Sequence, residues 1–319
     1  MSTTLSQADK TSFDLKGFKV KRVLSEDPRG DPLTHNAAIL GSLPNASGEA
    51  VSTIVRIEQA TLPSFSTDLL DRVKLLGTND IYSWGLGWLK KLDEGADVKI
   101  NVISPATEAH IRKYTTQKVH IIHETPDMYA NIVKPYIDAF PPARTKWVED
   151  ILAGRSEADK VLYRSAPATE FGFLILPDMK WDLTTIGSLY LVAITLVRDI
   201  KGLRDLTKDH IGMLKDIRSQ ARAVVKEHYG LEPSEIRCYV HYQPSYYHFH
   251  VHIVNANFTG LAGMSVGQAH LLDDIISLLE LDPPSGPSIL QRMTLTYGLG
   301  EQHGLFAALH AAQETDAGA

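Results

Sequence analysis

Between residues 248 and 254 the chain alternates strictly: His248-Phe249-His250-Val251-His252-Ile253-Val254. A two-residue period is the signature of a strand, whose successive side chains point to opposite faces. The three imidazoles therefore share one face, with Cα atoms about 6–7 Å apart. Phe249, Val251 and Ile253 share the other and point into a core. That constrains the fold, because this strand needs an apolar layer on one side and room for polar chemistry on the other. Packing alone gives no reason for three imidazoles in a row, since leucine would bury there with no polar group to satisfy. An exposed polar face or a satisfied core histidine would explain one such residue. It does not explain three, with His241, Tyr246 and Tyr247 just upstream.

Two chemistries remain. His-x-His on a strand is a known zinc arrangement. A row of imidazoles can also supply a nucleophile, a proton donor and an orienting partner, because imidazole titrates near neutrality and both ring nitrogens are usable. A zinc site would want a further Asp, Glu or Cys nearby, and the only cysteine, Cys238, precedes the turn at Pro244. Nucleophilic chemistry on phosphorus is the favoured reading.

The rest of the chain bounds that reading. Its 319 residues suggest two domains, and a net charge of −6 argues against tracking long nucleic acid, which needs a basic face. A single cysteine fits a reducing compartment. The N-terminus lacks the layout of a signal peptide, and the longest apolar run, residues 189–197, is too short to span a bilayer. The expectation is a soluble intracellular protein with no membrane contact.

In order, residues 1–14 read as a disordered tail. Residues 18–24, 37–43 and 51–57 read as short strands, with a turn at Pro28–Pro32. Leu69, Leu70, Val73 and Leu76 have helical spacing after a Ser64 cap, so a helix is expected over 65–76. A strand over 97–104 and a helix over 105–114 complete a small α+β unit. A boundary falls near 117–126, followed by helix through Pro135 and Trp147. Residues 160–163 and 171–176 read as strands, and 189–197 as a buried strand or short buried helix. The clearest helix runs over 207–229 with Gly230 past its end. Strands over 236–242 and 247–255 flank the Pro244-Ser245 turn. An amphipathic stretch over 266–281 turns Leu271, Ile275, Leu278 and Leu279 inward. A strand at 293–297 and a helix at 304–313 close the chain.

The run His248–Val254 resembles the histidine-triad (HIT) motif, His-φ-His-φ-His-φ-φ, of nucleotide hydrolases and transferases. The longer string from His241 to His252, with Leu176-Pro-Asp-Met-Lys-Trp181 and Asn79-Asp-Ile-Tyr82, is similar to the scavenger mRNA-decapping enzymes (DcpS). This match runs from about Phe18 to the C-terminal helix. The resemblance implies an α+β fold with a HIT-like C-terminal domain, an antiparallel sheet with a long helix, at residues 119–319. A smaller α+β lid and dimerisation domain would occupy 15–118. It implies hydrolysis of 7-methylguanosine-capped dinucleotides or short capped RNA to 7-methyl-GMP and a nucleoside diphosphate. It further implies a homodimer with exchanged N-terminal strands, in the cytoplasm and the nucleus.

Residue by residue, the resemblance makes His250 the nucleophile, with His248 and His252 orienting it and neutralising phosphoryl charge. No metal or other cofactor is implied. His241, Ser245 and Tyr246 would contact phosphate. Trp147 would stack on the methylated base, whose positive charge suits an indole face, and Glu157 would accept the guanine N1–H and amine together. Met179 would be the second slice of the base sandwich, where relatives usually carry leucine. Asp178 and Lys180 would contact ribose and phosphate. Asn79 and Lys113 would reach the cap from the N-terminal domain as part of a closing lid. Gln268 stands where relatives often carry a basic residue. The alternatives are a general dinucleoside-polyphosphate hydrolase of the HIT type, a cap-binding module without turnover, and a mononuclear zinc protein.

Overall fold

The computed structural model describes residues 15–26, 36–45, 47–59, 70–79, 82–89, 98–259 and 261–317. Residues 1–14, expected to be a disordered tail, and the Pro28–Pro32 turn lie outside them. The chain divides into two compact units, Met1–Gln117 and Lys118–Ala319.

In the first unit, β1 (Lys19–Glu26), β2 (Asn36–Pro44), β3 (Ala50–Gln59) and β6 (Val98–Ile103) form an antiparallel sheet in that order. Between β3 and β6 in sequence, β4 (Leu70–Asn79) pairs with β5 (Tyr82–Leu89) as a separate two-stranded ribbon. Helix α1 (Glu108–Tyr114) begins after Thr107, whose hydroxyl and backbone N–H meet His110 Nδ1, so Pro105 lies outside the first turn. Leu24, Leu40, Ile54 and Ala106 form the small core.

The ribbon corrects the helix expected over 65–76, of which 65–69 lie outside the described residues. Leu70, Val73 and Leu76 do sit at helical spacing, but the backbone pairs with β5, placing Val73 opposite Gly87 and Leu75 opposite Gly85. In a regular strand i and i+3 point to opposite faces, but the register shift between Leu70 and Arg72 puts the Leu70, Val73 and Leu75 positions on one face. Such a bulge is set by the pairing with β5, which periodicity over ten residues does not see.

The second unit opens with β7 (Val119–Glu124), in a stretch read from sequence as a boundary. Its partner, β14 (Leu295–Gly300), is far away in the chain. Next come α2 (Pro126–Met128), a π turn over Tyr129–Val133, α3 (Lys134–Asp138) and α4 (Lys146–Leu152). The central sheet contains β8 (Tyr163–Arg164), β9 (Phe173–Pro177), β10 (Tyr190–Thr195), β11 (Ile236–His241), β12 (His250–Asn255) and β13 (Ala269–Leu271). Their spatial order is β13-β11-β12-β10-β9-β8, antiparallel throughout. Residues 189–197 thus resolve as a strand. Helix α5 (Ile211–Tyr229) starts later than expected, after a 3-10 turn over Lys208–His210. It ends at Gly230, whose φ of 69° is the left-handed cap that glycine adopts without penalty. The 266–281 stretch divides into β13 and α6 (Leu272–Glu280), which buries Leu272, Ile275, Ile276 and Leu279, whereas Leu271 is exposed. The chain finishes with α7 (Ile289–Arg292), β14 and α8 (Phe306–Ala317).

Both faces of the sheet are covered. Phe173, Ile175, Leu191, Ala193, Val251 and Ile253 pack on one face against Leu214, Ile217, Ala221 and Val225 of α5. On the other, Leu174, Leu176, Val192 and Ile194 meet Val148 and Ile151 of α4. Val192 pairs with His252 and Ile194 with His250, so the histidines share the α4 face.

A buried polar cluster pins the segment that leads into the histidine strand. Arg204 and Glu124, both fully buried, form an ion pair with Nη2 2.9 Å from Oε1. The same carboxylate accepts from the hydroxyls of Tyr242 (2.8 Å) and Tyr297 (2.6 Å) and from Gln243 Nε2 (3.0 Å). Arg204 spends its remaining donors on the carbonyls of Glu124, Leu290 and Met293. Every strong donor and acceptor is used, the condition under which a buried charge pair is tolerated.

Candidate active site

The segment from Tyr242 to Tyr247 carries the chain from β11 to β12. Regular β12 begins at His250 rather than at residue 247, so His248 sits just ahead of it. Phe249 still bonds to the end of β10, where Thr195 N–H donates to its carbonyl at 3.2 Å. This holds His248 and His250 at the sheet's end.

Each triad histidine has a distinct environment. His250 Nδ1 lies 2.7 Å from the carbonyl oxygen of His248. A carbonyl only accepts, so Nδ1 carries the proton and Nε2 keeps its lone pair. His248 Nε2 donates to the Thr195 carbonyl at 2.8 Å. His252 is buried, with neither ring nitrogen partnered among the described residues. Burial disfavours imidazolium at all of them: it pushes His250 down to about 3 and His241 to about 4, and lowers His248 and His252 as well. The row is neutral at pH 7, the state in which imidazole is a nucleophile or a ligand.

Around them the rings form a continuous chain. Tyr246 stacks on His250 at 4.2 Å between centroids and 11° between planes, and Trp147 of α4 meets Tyr246 edge-on at 4.9 Å. Trp147 remains 44% exposed, an indole beside the triad with surface to offer. His241, on β11, lies 4.4 Å from His252, and His250 lies 4.8 Å from it. Lys180 Nζ sits over Tyr190 at 4.8 Å and 3.9 Å from the Asp178 carboxylate, and Tyr190 in turn touches His252. Contacts therefore connect His241, Tyr246, His248, His250, His252, Trp147, Asp178 and Lys180.

Among the described residues of this unit, Glu157, Met179 and Ser245 are not joined to that cluster by such contacts. Glu157, in the left-handed conformation at φ 53°, pairs with Lys160 at 3.2 Å. Met179 is 95% exposed and Ser245 lies exposed in the turn. Asn79 is the last residue of β4 and Lys113 lies in α1, but their side chains are outside the described set. Gln268 spends its amide on the Gly298 carbonyl.

Sequence reasoning passed over Tyr190 and Tyr239, which flank His252 at 5.4 and 5.2 Å and bring their hydroxyls together at 3.2 Å. Tyr239 was findable, since it stands two residues before His241 and so shares its face. Tyr190 opens an apolar run and gives no local sign. The metal reading also changes. His241, from the adjacent strand, joins His250 and His252 with ring nitrogens within 4.8 Å of one another, so a third ligand need not be a carboxylate or thiolate.

Comparison with known proteins gives matches over both units. The family model described as scavenger mRNA decapping enzyme (DcpS) N-terminal matches residues 13–117, and scavenger mRNA decapping enzyme C-term binding matches residues 146–267. A protein named m7GpppX diphosphatase from Schizosaccharomyces pombe is 35% identical over 298 residues, covering 92% of this chain and 95% of its own. Proteins of the same name from Homo sapiens and Ascaris suum are 35% and 36% identical over 306 residues. Each match spans 94% of this chain, with 87% and 96% of the relative covered. The chain belongs to the scavenger mRNA-decapping enzyme family.

Proposed function

We propose that the protein hydrolyses the 5'-5' triphosphate of 7-methylguanosine-capped dinucleotides or short capped RNA, releasing 7-methyl-GMP and a nucleoside diphosphate. The observation that carries this reading is the fixed tautomer of His250. Its Nδ1–H is held by the His248 carbonyl, and the Nε2 lone pair is left free on the face shared with Trp147. Nε2 attacks the phosphorus next to 7-methylguanosine. A P–N bond forms as the bond to the bridging oxygen breaks, and the nucleoside diphosphate leaves as the anion. Water then cleaves the P–N bond, releasing 7-methyl-GMP and restoring the imidazole. Two easier displacements replace one hard one.

His248 and His252 orient the nucleophile and meet the phosphoryl oxygens, and Lys180 adds positive charge beside them. His241, Ser245 and Tyr246 contact phosphate, Asp178 the ribose. Trp147 and Met179 sandwich the charged base, worth about 1–2 kcal/mol for a desolvated indole, while Glu157 reads guanine. Asn79 and Lys113 act from the N-terminal unit as a lid over a cap short enough to enclose. The protein works as a homodimer with exchanged N-terminal strands, in the cytoplasm and the nucleus. The exposed apolar side chains of β4 support the dimer.

Incubation with methylated and unmethylated capped dinucleotides, with products separated by chromatography, tests the reading. 7-Methyl-GMP and the diphosphate should form, GpppG should be a poor substrate, His250→Asn should abolish turnover, and EDTA should leave it intact. Equal rates on both dinucleotides would favour a general dinucleoside-polyphosphate hydrolase. Binding without products would favour a cap-binding module.

A further inference from the structure

Three imidazoles from two adjacent strands meet at the triad with unusual freedom. Ring nitrogens of His241, His250 and His252 lie within 4.8 Å of one another. His252, 3% exposed, has both nitrogens without a partner among the described residues. Buried polar atoms in that condition are costly unless something binds them. His250 donates its Nδ1–H to a backbone carbonyl and presents only Nε2, the arrangement typical of metal-bound histidine.

We propose that His241, His250 and His252 bind one zinc-like divalent cation, and that the bound ion inhibits hydrolysis by occupying the lone pair of the nucleophile. The inhibition rests on His250 being that nucleophile; the binding does not. An all-imidazole set selects zinc, copper or nickel over magnesium and calcium, which prefer oxygen. Three protein ligands leave a fourth tetrahedral position for water. Among the described residues no carboxylate belongs to the cluster, and the Lys180 ammonium lies nearby, over the Tyr190 ring that touches His252. A dication is therefore held reversibly rather than as a structural part. The site is a brake that free zinc applies and a chelator or substrate releases.

The test titrates Zn²⁺ calorimetrically into the chelator-stripped full-length chain, alone and with 7-methyl-GMP, while cleavage of a methylated capped dinucleotide is followed in parallel. One zinc per chain should bind, and activity should fall in step with occupancy and return with EDTA. Mg²⁺ should have no inhibitory effect, and 7-methyl-GMP should weaken zinc binding. His241→Gln should weaken it by about tenfold or more. Absence of zinc binding overturns the proposal, as does zinc binding that is indifferent to both the nucleotide and the substitution. Should His241→Gln not fold, competition on the wild-type chain decides alone. A chain that never cleaves the dinucleotide refutes the catalytic reading instead, and calorimetry still decides the metal site.

Discussion

His250 is a base whose fold forbids it to be a cation. In the unfolded chain a histidine protonates near pH 6.5, whereas burial holds this ring neutral down to about 3. Between those values the unfolded chain binds the additional proton. The contribution to stability is therefore complete above about pH 6.5 and is lost progressively as pH falls toward 3. One such proton gives a slope of about 1.4 kcal/mol per pH unit. His241, depressed to about 4, adds a slope of the same sign. His250→Asn, which has no proton to gain, should flatten the acid limb of a urea-unfolding series by about one proton between pH 6 and pH 5. An identical slope in the variant would mean that the ring is not buried in its neutral form. The triad was legible in the sequence because its information is local: alternation alone places three imidazoles on one face. Tyr190 was not, because its proximity to His252 arises from the pairing of β10 with β12, which no neighbouring residue announces.

At the scale of elements, the same division explains what could be read and what could not. Helix α5 was legible because Leu214, Ile217, Ala221 and Val225 repeat along one face and Gly230 closes it. The ribbon β4–β5 was not, although Trp84, Leu86 and Trp88 alternate with Gly85 and Gly87 in the sequence, a two-residue period that argues for strand. Strand β7 was invisible because its partner β14 lies at the other end of the unit. Glu124, at the end of β7, gives that distant pairing a purpose, since its carboxylate holds Tyr242 and Gln243 at the entrance to the histidine segment. Arg204→Met would leave the carboxylate buried and uncompensated, so unfolding free energy should drop by about 3–5 kcal/mol. Adding Glu124→Leu to Arg204→Met should recover much of the loss, because two apolar residues replace the pair together. Urea-unfolding midpoints of the two variants check this, and a double variant no more stable than the single would contradict it.

Over the whole molecule, the two units differ in how they treat their apolar residues. Lys118–Ala319 buries large side chains on both faces of one sheet. In Met1–Gln117, strand β4 exposes Val73, Leu75 and Leu76 at 63, 61 and 56%. A two-stranded ribbon is marginal in water by itself, and three large apolar side chains on one exposed strand mark a surface that association would cover. The proposed homodimer gives that surface an occupant, a second copy of the chain. Light scattering behind a sizing column should then find twice the mass of the 319-residue chain. Val73→Lys with Leu75→Lys should shift the protein toward monomer, because each added ammonium would have to be desolvated in the interface. If N-terminal strands are exchanged between copies, the monomeric variant should also lose cap hydrolysis while its C-terminal unit stays folded by circular dichroism. Wild-type protein that runs as a monomer at all concentrations would remove the exchanged-strand dimer, and the hydrophobic ribbon would need another partner.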